Sequence, residues 1–180
     1  MAAAALDGLD LDEVLLVPMG QAPHREIEAD PGAEVRLEMT RFAVEDCDRV
    51  GVDTFEVDSA DRPSYTYLTL EHLHGRYPEA ELILLLGGDA AATLDRWENP
   101  QRILELASVA VAERDGVGAA PAASAMRRID SDAEAKRIEL EPVDVSSTDV
   151  RRRFAKGEDV RTLVGDRVAR LIERQGLYRE

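Results

Sequence analysis

The chain has 180 residues, 44% hydrophobic and 33% charged, which suits one globular domain spanning 1–180 rather than a disordered or fibrous chain. Its formal net charge of −15 excludes broad nucleic-acid binding, which needs a basic face, but leaves a small anionic ligand open because only the local field of a site matters. A lone cysteine, Cys47, excludes a disulfide framework and a cysteine-based metal site; no apolar run approaches a membrane span and no signal peptide opens the chain, so a cytoplasmic location is expected.

Residues 13–17, Glu-Val-Leu-Leu-Val, make a short apolar run stopped by Pro18 and Gly20, which predicts a buried strand entering a loop. Residues 34–46 carry Val35, Met39, Phe42 and Ala43 near helical spacing. Residues 54–57, Thr-Phe-Glu-Val, read as a second strand. Ser64 then precedes a predicted helix with Leu68, Leu70 and Leu73 on its face, ending near Gly75 and Pro78. A third strand, the wholly apolar 82–86, runs into Gly87-Gly88-Asp89. Beyond Trp97 come a short helix at 100–106 and a fourth strand at 108–112. Residues 116–125 are small and turn-rich and predict a mobile surface loop. A fifth strand at 137–140 and helices at 148–155 and 168–175 complete the chain.

Alternation of this kind predicts an α/β fold, a Rossmann-like doubly wound parallel sheet whose apolar strands are covered on both faces. Ligands of such sheets sit beyond the strand C-termini. The loops after Val17, Leu86 and Ala112, and the helix starting near Ser147, are therefore where a site is expected.

Ser146-Ser147-Thr148 supplies preferred N-cap residues, and the free N–H groups of a first helical turn attract anions. A plain capped helix would need no more, and Asp149 suits its first turn. It would not explain the cations that follow: Arg151, Arg152, Arg153 and Lys156 against Asp149 leave +3 over residues 146–156. A helix dipole disfavours cations near its start, so an anionic ligand fits. Gly88 and Asp89 could meet a ribose, because glycine permits close approach and a carboxylate accepts from hydroxyls; equally, Asp89 could cap a helix. Trp97 is either core or a platform for a planar ring. His72 and His74, two residues apart, point to different sides of a helix and cannot share a metal. His24 lies in the loop after the first strand. No nucleophile–base pair, Walker A loop or metal-ligand cluster is legible, so no metal site is expected.

Taken in order, these segments resemble the bacterial nicotinate-nucleotide adenylyltransferases. Pro23-His24-Arg25 is similar to the family's Pro-His-Lys/Arg loop, and Ser64-Tyr65-Thr66 with Thr69-Leu70 to its Ser-Tyr-Thr-x-x-Thr-Leu motif. Gly87-Gly88-Asp89 with Trp97, and Arg114-Asp115-Gly116 as Arg-x-Gly, follow. Val145-Ser146-Ser147-Thr148-Asp149-Val150-Arg151 and Gly176-Leu177-Tyr178-Arg179 resemble Ile-Ser-Ser-Thr-x-Ile-Arg and Gly-Leu-Tyr-Arg. The resemblance implies transfer of AMP from ATP, with Mg²⁺, to nicotinate mononucleotide, giving deamido-NAD and pyrophosphate. Ser146, Ser147, Thr148 and Arg151 would hold ATP phosphates, with Gly88 and Asp89 at its ribose. Trp97 would stack on the pyridine ring, Tyr65 and Thr66 would lie near the nicotinate carboxylate, and Arg114, His24 and Arg25 would serve the mononucleotide. Arg151 would also stabilise charge in the transition state.

The family begins with a strand and a Gly-Gly-Thr-Phe-Asp-Pro-Pro-His-x-Gly-His loop, and neither is present in this sequence. That strand is central in a sheet of order 3-2-1-4-5, so without it the strands ending near Val17 and Leu86 lose a shared neighbour. Orphaned buried backbone groups cost about 1–3 kcal/mol each. The native start is therefore expected upstream of Met1, and the chain as written is expected to turn nucleotide over poorly. Two other readings stay open: a sibling enzyme that uses nicotinamide mononucleotide, and a catalytically dead nucleotide-binding protein. A homo-oligomer is compatible with the sequence.

Overall fold

The computed structural model describes residues 1–22, 30–59, 61–113, 119–140 and 145–178. In chain order its elements are α1 (Ala2–Gly8), β1 (Val14–Leu16), α2 (Ala33–Val44), β2 (Val50–Val52), α3 (Phe55–Asp58), α4 (Thr66–Arg76), β3 (Ile83–Gly87) and α5 (Gly88–Ala91). After a 3₁₀ turn at Leu94–Arg96 come α6 (Pro100–Leu106), β4 (Ser108–Glu113), α7 (Ala119–Ile129), β5 (Ala135–Glu139), α8 (Ser147–Ala155), α9 (Arg161–Val164) and α10 (Asp166–Gln175). Among the described residues the strands form two sheets, β1-β2 and β3-β4-β5. The chain divides into two compact units, residues 1–14 with 65–142 and residues 15–64 with 143–180.

The first unit is built on β3-β4-β5, whose strands are parallel, with Leu86 opposite Val111 and Ala112 opposite Ile138. β4 is central, and five of its six residues are buried, Val109 and Val111 at 1% exposure. A strand covered on both faces has no solvent side, and so after the exposed Ser108 its sequence is apolar until the buried Glu113. Leu70, Leu86, Leu94, Ile103 and Met126 join these valines in one core. α6 starts with Pro100 after Asn99, which holds a left-handed conformation at φ 49° that asparagine tolerates better than most residues. Arg102 ties α6 to α4 by donating to Glu71 at 2.9 Å.

In the second unit α10 lays Val168, Ala169 and Ile172 against Phe154 of α8 and Val160, with Met39 and Phe42 of α2 packed around them. The spacing is that of an amphipathic helix, and all of these apolar positions fall on one stripe. Gly176 ends α10 in the left-handed region at φ 63°, which places Leu177 N–H on the Ile172 carbonyl at 3.1 Å. Arg174 donates to Glu38 at 3.0 Å and fastens α10 to α2.

Two predicted elements are corrected. Residues 54–57 are not a strand; the strand is Val50–Val52 and Phe55–Asp58 is a helical turn. The Asp53 carboxylate accepts Phe55 N–H at 2.9 Å and Thr54 donates to Asp58 at 2.6 Å, so local side-chain bonds nucleate a turn where alternating Phe55 and Val57 suggested pleating. Within the predicted loop at 116–125, residues 116–118 lie outside the described residues and Ala119–Ala125 belong to α7. Alanine is the best helix former, and Ala122, Ala125 and Met126 are buried as an i, i+3, i+4 stripe.

Candidate functional site

The start of α8 is built from its own side chains. Ser146 has the extended backbone of an N-cap, φ −117° and ψ 156°, and its Oγ accepts Asp149 N–H at 3.1 Å. The Ser146 hydroxyl donates in return to the Asp149 carboxylate at 3.0 Å. Asp149 also pairs with Arg152. With Ser146 and Asp149 satisfying each other, the N–H groups of Ser147 and Thr148 donate to no other described group. Ser147 and Thr148 are exposed. One turn on, Arg151 is half-buried, donates to Thr148 Oγ1 at 3.3 Å and lies 6.0 Å over the Tyr178 ring. Burial pushes the Tyr178 hydroxyl above its ordinary pKa, opposed by the Arg151 charge, while Asp30 raises it and Arg36 lowers it. Phe154, one turn beyond Arg151, is buried with Val160, Val168, Ala169 and Ile172 and anchors α8.

In the same unit, Ser64 Oγ accepts the N–H groups of Gly20 and Gln21 at 3.0 and 3.2 Å. Arg36 donates to the Met19 carbonyl from Nε and Nη2, to the Gly20 carbonyl at 2.8 Å, and to Asp30. His24 and Arg25 lie outside the described residues, as does Arg114.

In the other unit, β3 delivers Gly87-Gly88-Asp89 at its C-terminal end. Gly87, not Asp89, is the N-cap of the short α5, and Asp89 is exposed in its first turn. A Cβ on Gly87 would meet no atom within 4 Å, and its φ of −71° is open to any residue. Neither packing nor backbone conformation within the protein asks for glycine there. Trp97 is half-buried, packs on the core and donates from Nε1 to Thr93 Oγ1 at 3.3 Å. Tyr65 precedes α4 and stacks on Tyr67, with centroids 6.2 Å apart, while Thr66 opens the helix. His72 is half-buried and His74 exposed on α4. Among the described residues no three His, Cys, Asp or Glu side chains are grouped to hold a metal, and no helix is long and apolar enough to cross a membrane.

The fold therefore gathers Tyr65, Thr66, Gly88, Asp89 and Trp97 in one unit and Ser146, Ser147, Thr148 and Arg151 in the other. Sequence reasoning did not single out Arg36, Thr93, Tyr178 or the side-chain role of Ser64. Only Ser64 and Tyr178 stood inside recognisable motifs. Glu113, at the end of β4, was also missed; it is buried, its Oε1 has no hydrogen-bond partner among the described residues, and Arg137 Nε stands 3.8 Å away.

A family model described as cytidylyltransferase-like matches residues 1–153. A Clostridium tetani protein named "Probable nicotinate-nucleotide adenylyltransferase" is 30% identical over 99% of this chain and 90% of its own length. A Roseiflexus sp. RS-1 protein of the same name is 39% identical over 95% of this chain and 85% of its own. The solved Plasmodium falciparum nicotinic acid mononucleotide adenylyltransferase complexed with NaAD superposes with a TM-score of 0.72, covering 98% of this chain and 89% of that one. At 14% identity that likeness is one of fold: α/β, with parallel strands.

Proposed function

We propose that this chain, which belongs to the cytidylyltransferase-like family and within it to the nicotinate-nucleotide adenylyltransferases, transfers AMP from ATP to nicotinate mononucleotide. One phosphate oxygen of the mononucleotide attacks the α-phosphorus of ATP, the bond to the β-phosphate oxygen breaks, and pyrophosphate leaves as deamido-NAD forms. Mg²⁺ enters with ATP as part of the substrate and neutralises phosphate charge. No protein nucleophile is required, so the protein's work is positioning and charge stabilisation.

The observation that carries this reading is the first turn of α8. Ser146 and Asp149 cap each other, which leaves the N–H groups of Ser147 and Thr148 and the hydroxyl of Thr148 for ATP phosphates. Arg151 supplies a planar cation beside them, suited to charge that builds on the transferring phosphoryl group. Gly88 and Asp89 serve the ribose; the absence of any packing need for glycine at Gly87 supports a ligand lying close to that turn. Trp97 stacks on the pyridine ring and Tyr65 and Thr66 meet the nicotinate carboxylate. His24, Arg25 and Arg114 serve the mononucleotide phosphate side.

The test is product formation. With ATP and Mg²⁺, pyrophosphate release and a dinucleotide product should appear with nicotinate mononucleotide and be weaker with nicotinamide mononucleotide. Preference for the nicotinamide substrate would reassign the acceptor. Binding of ATP with no transfer to either, in a protein extended by the family's first strand and histidine loop, would overturn the catalytic reading in favour of a nucleotide-binding protein.

A further inference from the structure

Trp97 is the only tryptophan in the chain, and its indole is not free to turn. Its backbone N–H donates to Leu94 at 3.1 Å, and Leu94 is fully buried, so the main chain is fixed by the core. The side chain is fixed separately. Nε1–H donates to Thr93 Oγ1 at 3.3 Å, and Thr93 Oγ1 donates in turn to the Ala90 carbonyl at 2.9 Å. A threonine hydroxyl has one proton. Here that proton goes to Ala90, which orients the oxygen lone pairs, and one of them takes the indole N–H. The Ala90 carbonyl also accepts Thr93 N–H at 3.1 Å, so Thr93 is referenced twice to the residue that follows Asp89.

We propose that Thr93 is a positioning residue that sets the plane of the Trp97 ring relative to the Gly88-Asp89 turn, and so governs affinity for the acceptor's aromatic ring. This rests on the reading that Trp97 stacks on the pyridine ring of nicotinate mononucleotide. The physical reason is orientation: a stacking platform contributes its full attraction only when its plane is offset and parallel to the ligand ring. Because the Thr93 proton is spent on Ala90, Thr93 offers the ligand no donor, and its influence passes through Trp97. Removing the acceptor also strands an indole N–H that is half-covered by the core.

Thr93→Val keeps the shape and removes both hydrogen bonds at an exposed position, while Thr93→Ser keeps the hydroxyl. The near-ultraviolet circular dichroism band of Trp97 in the ligand-free protein should weaken in Thr93→Val and return in Thr93→Ser. Quenching of Trp97 fluorescence by nicotinate mononucleotide should need roughly 3- to 10-fold more ligand in Thr93→Val, the weight of one hydrogen bond. The KM for that substrate should rise alike, with kcat and the KM for ATP unchanged. An unaltered Trp97 band together with unaltered mononucleotide affinity in Thr93→Val would overturn the proposal, as would a loss shared equally by ATP. If the mononucleotide leaves Trp97 fluorescence unmoved in the unsubstituted protein, the stacking reading itself fails. The ligand-free Trp97 band of the two variants still decides whether Thr93 holds the ring.

Discussion

Ser64 Oγ accepts the backbone N–H of Gly20 at 3.0 Å, across 44 residues of sequence. Gly20 is buried there with no room for a side chain: a Cβ would stand 1.9 Å from the Glu56 carbonyl oxygen and 2.7 Å from its carbon. These are backbone atoms, so relief requires moving the chain at α3 rather than turning a side chain. Gly20→Ala should therefore cost about 1–3 kcal/mol through overpacking. Ser64→Ala leaves the N–H groups of both Gly20 and Gln21 without their acceptor and should cost a similar amount. Urea unfolding of both single variants and the double variant checks this; the losses should add to less than their sum, because they break one joint.

Arg36 holds the same segment by its carbonyls. Its guanidinium reaches two carbonyls and a carboxylate at once, on Met19, Gly20 and Asp30. Only a fork of fixed N–H vectors can do that, and a lysine ammonium on a flexible stem cannot span the three acceptors. Arg36→Lys should lower stability by about 1–3 kcal/mol despite keeping the charge. A denaturation midpoint equal to that of the unsubstituted protein would show that charge, not shape, does the holding.

How much of this was legible follows from what each signal depends on. β3 and β4 were found because both are written as uninterrupted apolar runs, although only β4 is buried along its length, and α8 because Ser146 and Asp149 are local capping partners. The helix over Ala119–Ile129 was hidden because glycine and alanine were counted together as small, although alanine favours the helix that glycine opposes. Arg36, Thr93 and Ser64 act through bonds to backbone groups. Arg36 and Ser64 reach theirs across the fold, and a sequence carries no mark of such a partner. Tyr178 stood within a recognised ending, but its place beneath Arg151 depends on the packing of α10 against α2 and α8.

The pair Asp95–Arg128 gives a pH signature. Arg128 Nε donates to Asp95 at 2.7 Å, and that hydrogen bond holds the Asp95 carboxyl below its ordinary pKa of 3.8, while burial works against it. The same bond raises Arg128. A carboxyl depressed on folding adds stability that is fully present above its unfolded value and is lost as pH falls through the folded one. The difference in melting temperature between the unsubstituted protein and Arg128→Ala should therefore be widest near neutral pH and shrink below about 3.8. Added salt should narrow it at neutral pH, since Arg128 is half exposed. A gap that stays constant through acid would mean that Arg128 matters by packing alone.

Under the proposed function, the turn that begins α8 carries a structural role and a chemical one within six residues. Ser146→Ala removes the acceptor for Asp149 N–H and should cost about 1 kcal/mol of stability, the usual weight of a helix cap. Its effect on turnover should be modest, because the hydroxyl already faces Asp149 rather than a ligand. Arg151→Ala should do the reverse. Its contacts, one bond to Thr148 and the face of Tyr178, are exposed or partial, so little stability goes with it. A cation aimed at developing phosphoryl charge is worth far more in the transition state, and its removal should lower kcat by roughly 10²–10³-fold. Arg151→Lys should recover only part of that, since a point charge cannot reproduce the planar fork. Measuring unfolding free energy beside steady-state kinetics for the three variants resolves the two roles. A fall in kcat for Ser146→Ala as deep as that for Arg151→Ala would mean the Ser146 hydroxyl leaves Asp149 and turns to ATP during the reaction.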